Sequence, residues 1–415
     1  MIDRELLSLM RENLVSSFDL SKEITDEKID ELIDEEIFKE GHIRYISLED
    51  RLVYKRSLFN SIRGLDVLQD LADDDLVTEI MVNGTDNIFI EENGSIKRSS
   101  TTFSSNDKLM DVIQQIASIS NRRVNEASPI VDARLKNGSR VNIVLPPIAL
   151  DGPVVTIRKF PKHGITMSDL IEMGSISNEA SEFLEILVKS GYNIFISGGT
   201  GSGKTTFLNV LSSFIPKDSR VITIEDSAEL RLSHIDNLVR LETRQDNVEG
   251  HGGITIRDLI KTSLRMRPDR IVVGEVRGSE ALDMLQAMNT GHDGSMSTGH
   301  ANSTTDMLIR LETMVLMGVN LPVSAIRGQI AAGIDIIVHL GRLRDKSRKV
   351  LEISEIIKFD GTNIILRPIY KFEEHSFSNN KVIGALKFTG NTLYHKTKLN
   401  LAGFTDKDIH LGSEH

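Results

Sequence analysis

Along the first sixty residues the apolar positions are sparse and helical in spacing. Ile24, Ile29, Ile33 and Ile37 recur four or five apart among acidic residues, which makes a narrow apolar stripe. Asp26 and Glu27 suit a first helical turn, although Thr25 followed by Lys28 is not a full capping box. The spacing predicts an acidic helical arm over 1–60. From about residue 65 the period shortens. Glu79–Asn83, Asn87–Glu92 and Ser95–Ser99 read as short strands, with Asn83-Gly84 and Asn93-Gly94 as turn dipeptides. Leu109, Val112, Ile113 and Ile116 then mark a helix. Val131–Leu135 and Ser139–Leu145 flank Lys136-Asn137-Gly138 as a hairpin, and a proline-rich break precedes the strand Val154–Phe160. Residues 61–160 are expected to form an α/β domain with an antiparallel sheet.

Residues 161–180 carry Pro, Gly and Ser without strong periodicity and read as linker. Beyond them helix and strand alternate: a helix over Glu182–Lys189, a strand Tyr192–Ser197, a helix Lys204–Phe214 closed by Pro216, and a strand Val221–Glu225. Alternation of this kind predicts a parallel sheet covered by helices over 181–370. The remaining residues, 371–415, read as a polar, strand-like tail with a weak apolar stripe near Leu399, Leu401 and Phe404.

Composition narrows the class. The 415 residues are 40% hydrophobic and 26% charged, as in an ordinary globular protein. With no cysteine, thiol chemistry and cysteine-held zinc are excluded. The net charge of −11 is uneven: residues 1–50 hold 15 acidic and 6 basic residues, which leaves −2 for the other 365. Such a balance gives no support to non-specific nucleic-acid binding. The amino-terminal residues MIDRELLSLM show no signal-peptide pattern, and no apolar run approaches the ~20 residues of a membrane span. The expectation is a cytoplasmic chain that meets a membrane only through partners.

Gly198-Gly199-Thr200-Gly201-Ser202-Gly203-Lys204-Thr205 fits G-x-x-x-x-G-K-[ST] and stands between a predicted strand and a predicted helix. Its glycines let backbone N–H groups wrap a phosphate, the helix N-terminus adds partial positive charge, and Lys204 reaches the β- and γ-phosphates. Thr205 offers a hydroxyl to Mg²⁺, and Thr206 follows it on the same helical turn. A second acidic strand end is Arg270–Glu275, whose Glu275 can polarise the attacking water or hold the metal through water. Gly274 occupies the position where many phosphate-loop enzymes carry Asp. Val221–Glu225 with Asp226 and Glu229 supplies further carboxylates at the expected ligand edge of the sheet, with Glu225 a second candidate for the metal. Two Thr-Gly-His triplets, ending at His292 and His300, lie eight residues apart in a polar loop, and either imidazole suits a phosphate.

The phosphate loop, the segments IEDSAEL (224–230) and 265–303, and RLETMVLM (310–317) resemble the type II/type IV secretion traffic ATPases, nearest to the CpaF-type ATPases of tight-adherence (Flp) pilus assembly. The resemblance runs from about residue 65 to 345. It implies a RecA-like C-terminal ATPase domain after an α/β N-terminal domain, with ATP and Mg²⁺ between them. It places Glu225, Asp226 and Glu229 in the family's Asp box, Glu275 on its general base, and His292 and His300 in its His box. It implies that arginines of the N-terminal domain, here Arg140 and Arg158, reach the nucleotide. It further implies a homo-hexamer that drives pilus assembly or protein secretion through an inner-membrane platform protein. The alternative is a RecA-like hexameric nucleic-acid translocase. It requires a basic stripe, for which Arg265, Arg267 and Arg270 are the densest source.

Overall fold

Side-chain caps start the three N-terminal helices. Asp3, Thr25 and Ser47 each accept from backbone N–H groups of the first turn of α1 (Arg4–Ser16), α2 (Asp26–Ile43) and α3 (Leu48–Arg63). In this computed structural model the described residues are 3–18, 24–92, 94–120, 122–160, 164–244, 246 and 251–409. Asn93 of the expected Asn93-Gly94 turn, residues 161–163 of the expected linker and residues 410–415 of the expected tail lie outside them. The chain divides into two compact units, Met1–His163 and Gly164–His415.

In the first unit the isoleucine stripe is buried as its spacing requires. Ile29, Ile33 and Ile37 pack with Leu6, Met10 and Leu14 of α1 and with Tyr54 and Leu58 of α3, while Ile24 is partly buried at the margin. After α4 (Gln69–Asp73) come β1 (Val77–Asn83), β2 (Asn87–Glu92), β3 (Ser95–Arg98), α5 (Asn106–Ile119), β4 (Ile130–Arg134), β5 (Arg140–Val144) and β6 (Val154–Arg158). They form an antiparallel sheet in the order β3-β2-β1-β6-β5-β4. Alternation along the strands sends Ile80, Val82, Val141, Ile143, Val155 and Ile157 into one core with Leu109, Val112, Ile113 and Ile116 of α5. The residues between them, Met81, Asn142 and Thr156, alternate to the other face.

The second unit begins with α6 (Met167–Glu172), α7 (Asn178–Lys189), β7 (Ile194–Gly198), α8 (Lys204–Ser212), β8 (Val221–Glu225) and β9 (Leu238–Glu242). It continues through α9 (Ile256–Ser263), β10 (Arg270–Val273), α10 (Glu280–Asn289), β11 (Met296–His300), α11 (Thr304–Gly318) and α12 (Val323–Gly333). It ends in β12 (Ile336–Arg342), β13 (Arg348–Phe359), β14 (Ile364–Ser378), β15 (Lys381–Phe388) and α13 (Thr397–Leu401). The nine strands lie in the order β15-β14-β13-β12-β7-β11-β10-β8-β9, parallel from β12 to β9 and antiparallel beyond β12. Both faces of the parallel part are covered. Ile194 and Ile196 of β7 join the cluster of Phe183, Leu187 and Leu208, whereas Phe195 joins that of Ile260, Met284 and Met307.

The α/β class is as expected, with a parallel-rich sheet behind the phosphate loop and an antiparallel sheet in the first unit. Two segments set apart by their polarity, as linker and as tail, join the core of the second unit. Within 161–180, Thr166 and Asp169 form a reciprocal capping box that starts α6, and Met167, Leu170 and Ile176 enter the core. Beyond residue 370, β14 continues to Ser378, and Leu386, Leu393, Leu399 and Ile409 pack into the same core. Leu399→Ala is therefore expected to lower unfolding free energy by about 2–5 kcal/mol in urea titrations. An unchanged midpoint and slope would detach the last forty residues from the second unit's core.

Candidate active site

Glycine is dictated where β7 meets the loop. A Cβ on Gly198 would stand 2.5 Å from Ser202 Oγ and 2.6 Å from the Leu340 carbonyl oxygen, so no side chain fits. Gly201 and Gly203 take φ of +71° and +93°, in the left-handed region that disfavours other residues. Gly203 caps α8 without any side-chain acceptor, which leaves the first N–H groups of the helix to face a ligand. Ser202 Oγ donates to Gly199 O at 2.9 Å and braces the turn. Lys204 folds back, donating from Nζ to the same carbonyl at 3.0 Å; the residue is only 7% exposed, and burial lowers its pKa. Thr205 is half-buried beside it, while Thr206 and Thr200 are exposed.

His300 ends β11 directly opposite Gly198 in the parallel ladder. Its Nδ1 lies 3.2 Å from Lys204 Nζ and its Nε2 2.7 Å from Glu275 Oε1. A neutral ring protonated on Nε2 accepts from the ammonium at Nδ1, while the close approach of Nε2 to Glu275 Oε1 is not a hydrogen bond and leaves that buried oxygen without a hydrogen-bond partner. Burial first, and then the charges of Lys204 and Arg277, lower the His300 pKa, which favours this neutral form. Glu275, two residues past β10, also receives Arg277 Nη2 on Oε2 at 2.6 Å. Thr298 Oγ1 donates to Gly274 O at 2.8 Å and ties the β10 end to β11.

Glu225 ends β8 at the same edge. Its Oε2 accepts the backbone N–H groups of Glu229 and Leu230 at 2.7 and 3.0 Å, whereas Oε1 is buried without a hydrogen-bond partner. Burial pushes its pKa up to about 7, against the pull of those two N–H groups. Glu229 acts on Glu225 through its backbone, and exposed Asp226 lies 4.0 Å from Arg277 Nη1. Gly274 has a physical reason: a Cβ there would stand 3.0 Å from Glu225 Cγ.

Not every expected residue comes to the loop. His292 precedes β11, at the opposite edge of the sheet, and its Nδ1–H donates to Ala287 O at 3.1 Å. His292 thus stands away from the phosphate loop of this chain and contacts the end of α10. Arg140 and Arg158 belong to the first unit, where they lie opposite each other on β5 and β6, with Arg134 opposite Arg140 on β4. Among the described residues there is no group of three or more acidic or histidine side chains suited to a metal. Thr205 with a polyphosphate remains the arrangement that fits Mg²⁺, which commonly keeps most of its waters. Glu225, with Oε2 engaged, offers at most Oε1 to a metal-bound water. Sequence reasoning passed over Arg277, whose signal is its position two residues beyond Glu275, and Thr298, which stands inside the second Thr-Gly-His triplet. Arg270 is buried with Nη1 donating to Val188 O at 2.6 Å, so the basic stripe required for nucleic acid is interrupted.

The profile of the Type II/IV secretion system protein family matches residues 63–379. The chain belongs to this family. A putative conjugal transfer protein of Mycobacterium tuberculosis is 34% identical to this secretion-system protein over 312 residues, 74% of the chain and 88% of the relative. The type IV secretion system protein PtlH of Bordetella pertussis is 32% identical over 303 residues, 67% of the chain and 89% of the relative. Among solved structures, the ATPase DotB of Legionella pneumophila superposes with a TM-score of 0.51 at 22% identity, covering 72% of this chain and 81% of its own. The pilus retraction motor PilT with bound ADP gives 0.51 at 18% identity, covering 81% and 85%. These two likenesses establish the shared fold.

The Glu225 pKa generates a stability prediction. Between 4.5 and about 7 the folded secretion-system protein holds a proton that the unfolded chain releases. The stabilisation is full below the lower value and is lost as pH rises through the upper one. The shift corresponds to roughly 3 kcal/mol. Glu225→Gln abolishes this titration, so its stability relative to wild type should climb by roughly that amount from about pH 4 to about pH 8 in urea unfolding. A difference independent of pH would mean that Glu225 ionises as an exposed carboxylate does.

Proposed function

We propose that the chain is an ATP hydrolase of the secretion traffic type, of the CpaF kind that assembles tight-adherence (Flp) pili. In this reading it works as a homo-hexamer in the cytoplasm, at the inner face of the cell membrane. It hydrolyses ATP with Mg²⁺ and passes the work to pilus or secreted subunits through an inner-membrane platform protein. The observation that carries the reading is the meeting of Lys204, His300 and Glu275 at the mouth of the phosphate loop. Family membership supports the secretion role.

The proposed chemistry divides among these side chains. Loop N–H groups and Lys204 hold the β- and γ-phosphates in one position, and the Thr205 hydroxyl would hold Mg²⁺, which would supply charge neutralisation of the phosphates. Glu275 takes the proton from the attacking water as the new bond to the γ-phosphorus forms and the bond to the β,γ-bridging oxygen breaks. Neutral His300 keeps Glu275 and Lys204 at a fixed separation without adding positive charge that would hold the proton off the base. Arg140 and Arg158 supply planar cationic forks for the charge that develops on the transferring phosphoryl group.

Glu275→Gln should retain ATP affinity and lose roughly 10²–10⁴-fold in turnover, whereas Lys204→Ala should abolish turnover. Nucleotide titration beside phosphate release reads both. Wild-type turnover in either purified variant would sink the site. Arg140→Ala and Arg158→Ala should each lower turnover by at least about 10³-fold, with Lys a poor substitute. Normal hydrolysis in both alanine variants would remove the arginines from the mechanism.

A further inference from the structure

The β12–β13 hairpin carries an arrangement that the hydrolysis mechanism does not use. Arg342 and Arg348 face each other across the antiparallel ladder. Like charges in directly opposed positions destabilise a strand pair. Neither guanidinium has an ion-pair partner among the described residues, although Arg344 between them is paired with Glu374 and stacks 4.5 Å from the Phe377 ring centroid. The turn itself is firmly held. Asp345 accepts from Ser347 N, Ser347 Oγ and Val382 N, which keeps its carboxyl below the usual range.

Both arginines adjoin the phosphate loop. Arg348 Nε donates to Gly201 O at 2.9 Å, and its Cδ is 3.5 Å from where a Gly203 Cβ would stand. Arg342 Nη1 is 3.8 Å from the corresponding position on Gly201. Lys204 Nζ, by contrast, bonds Gly199 O and meets His300 and, through it, Glu275. The loop thus has a hydrolytic end, at Gly199, and an arginine end, at Gly201 to Gly203. With its Nε fixed on Gly201, Arg348 still has both terminal nitrogens free to pair with oxygens.

Resting on the nucleotide reading above, we infer that Arg342 and Arg348 bind the α- and β-phosphates, the part that ATP and ADP share. An anion between them relieves the repulsion of the opposed charges and ties the hairpin to the bound nucleotide. These residues therefore set retention of both nucleotides, including the product.

The test is titration calorimetry on the full chain with Mg-ADP and with a non-hydrolysable ATP analogue, together with thermal melting with and without each. Arg348→Ala and Arg342→Ala should weaken both nucleotides by a similar factor, roughly ten- to hundredfold for a lost charge-assisted bond. Arg348→Lys should restore part of it. The nucleotide-free melting temperature should stay near wild type, and the rise on adding nucleotide should shrink. If Arg348→Ala melts early by itself, Arg348→Lys and Arg342→Ala carry the comparison. Wild-type affinity in the alanine variants overturns the inference, and so does a loss confined to the ATP analogue. A wild-type chain that binds neither nucleotide overturns the nucleotide reading together with it.

Discussion

The parallel register between β7 and β11 sets the site. Because His300 lies opposite Gly198, the imidazole stands at the mouth of the phosphate loop and within reach of both Lys204 and Glu275. Side chains alternate along a strand, so a slip of one residue would turn His300 to the other face and break both contacts. The neighbouring pairs β10–β11 and β10–β8 bring Glu275 and Glu225 to the same edge. The active groups come from distant stretches of chain, and the hydrogen-bond ladder makes them neighbours.

That ladder is secured from both sides. The parallel strands are buried on two faces, with Phe195 and Ile196 on adjacent positions of β7 entering different cores. Past β7 the sheet continues into β12 and the antiparallel strands, and these adjoin the loop along Gly198 and Gly201. The Leu340 carbonyl fills the space that a Gly198 side chain would need, and Arg348 holds Gly201. Such firm contacts suit a loop whose N–H groups must keep their aim, since fixed dipoles act best when they need no reorientation.

Much of this was legible in the sequence where function and local geometry coincide. The phosphate loop declares itself because its glycines answer to backbone conformation, and the isoleucine stripe of α2 because burial recurs at helical spacing. The two Thr-Gly-His triplets show the limit. They are alike as sequence, but β11 runs between them, so His300 lies at the ligand edge and His292 at the other. The extent of the second unit was hidden for another reason. β14 ends in a mostly exposed stretch, so its residues lack an apolar signature even though the strand pairs along its length. Arg348 could not be found by spacing, as 147 positions separate it from Gly201.

Gly274 and Glu225 occupy what is in effect one space divided between two strands. The carboxylate is supplied by β8, and the glycine on β10 makes room for it. The two positions are therefore sterically coupled: a side chain at residue 274 would press on Glu225, so a change on β10 would be felt at the carboxylate that β8 delivers to this edge.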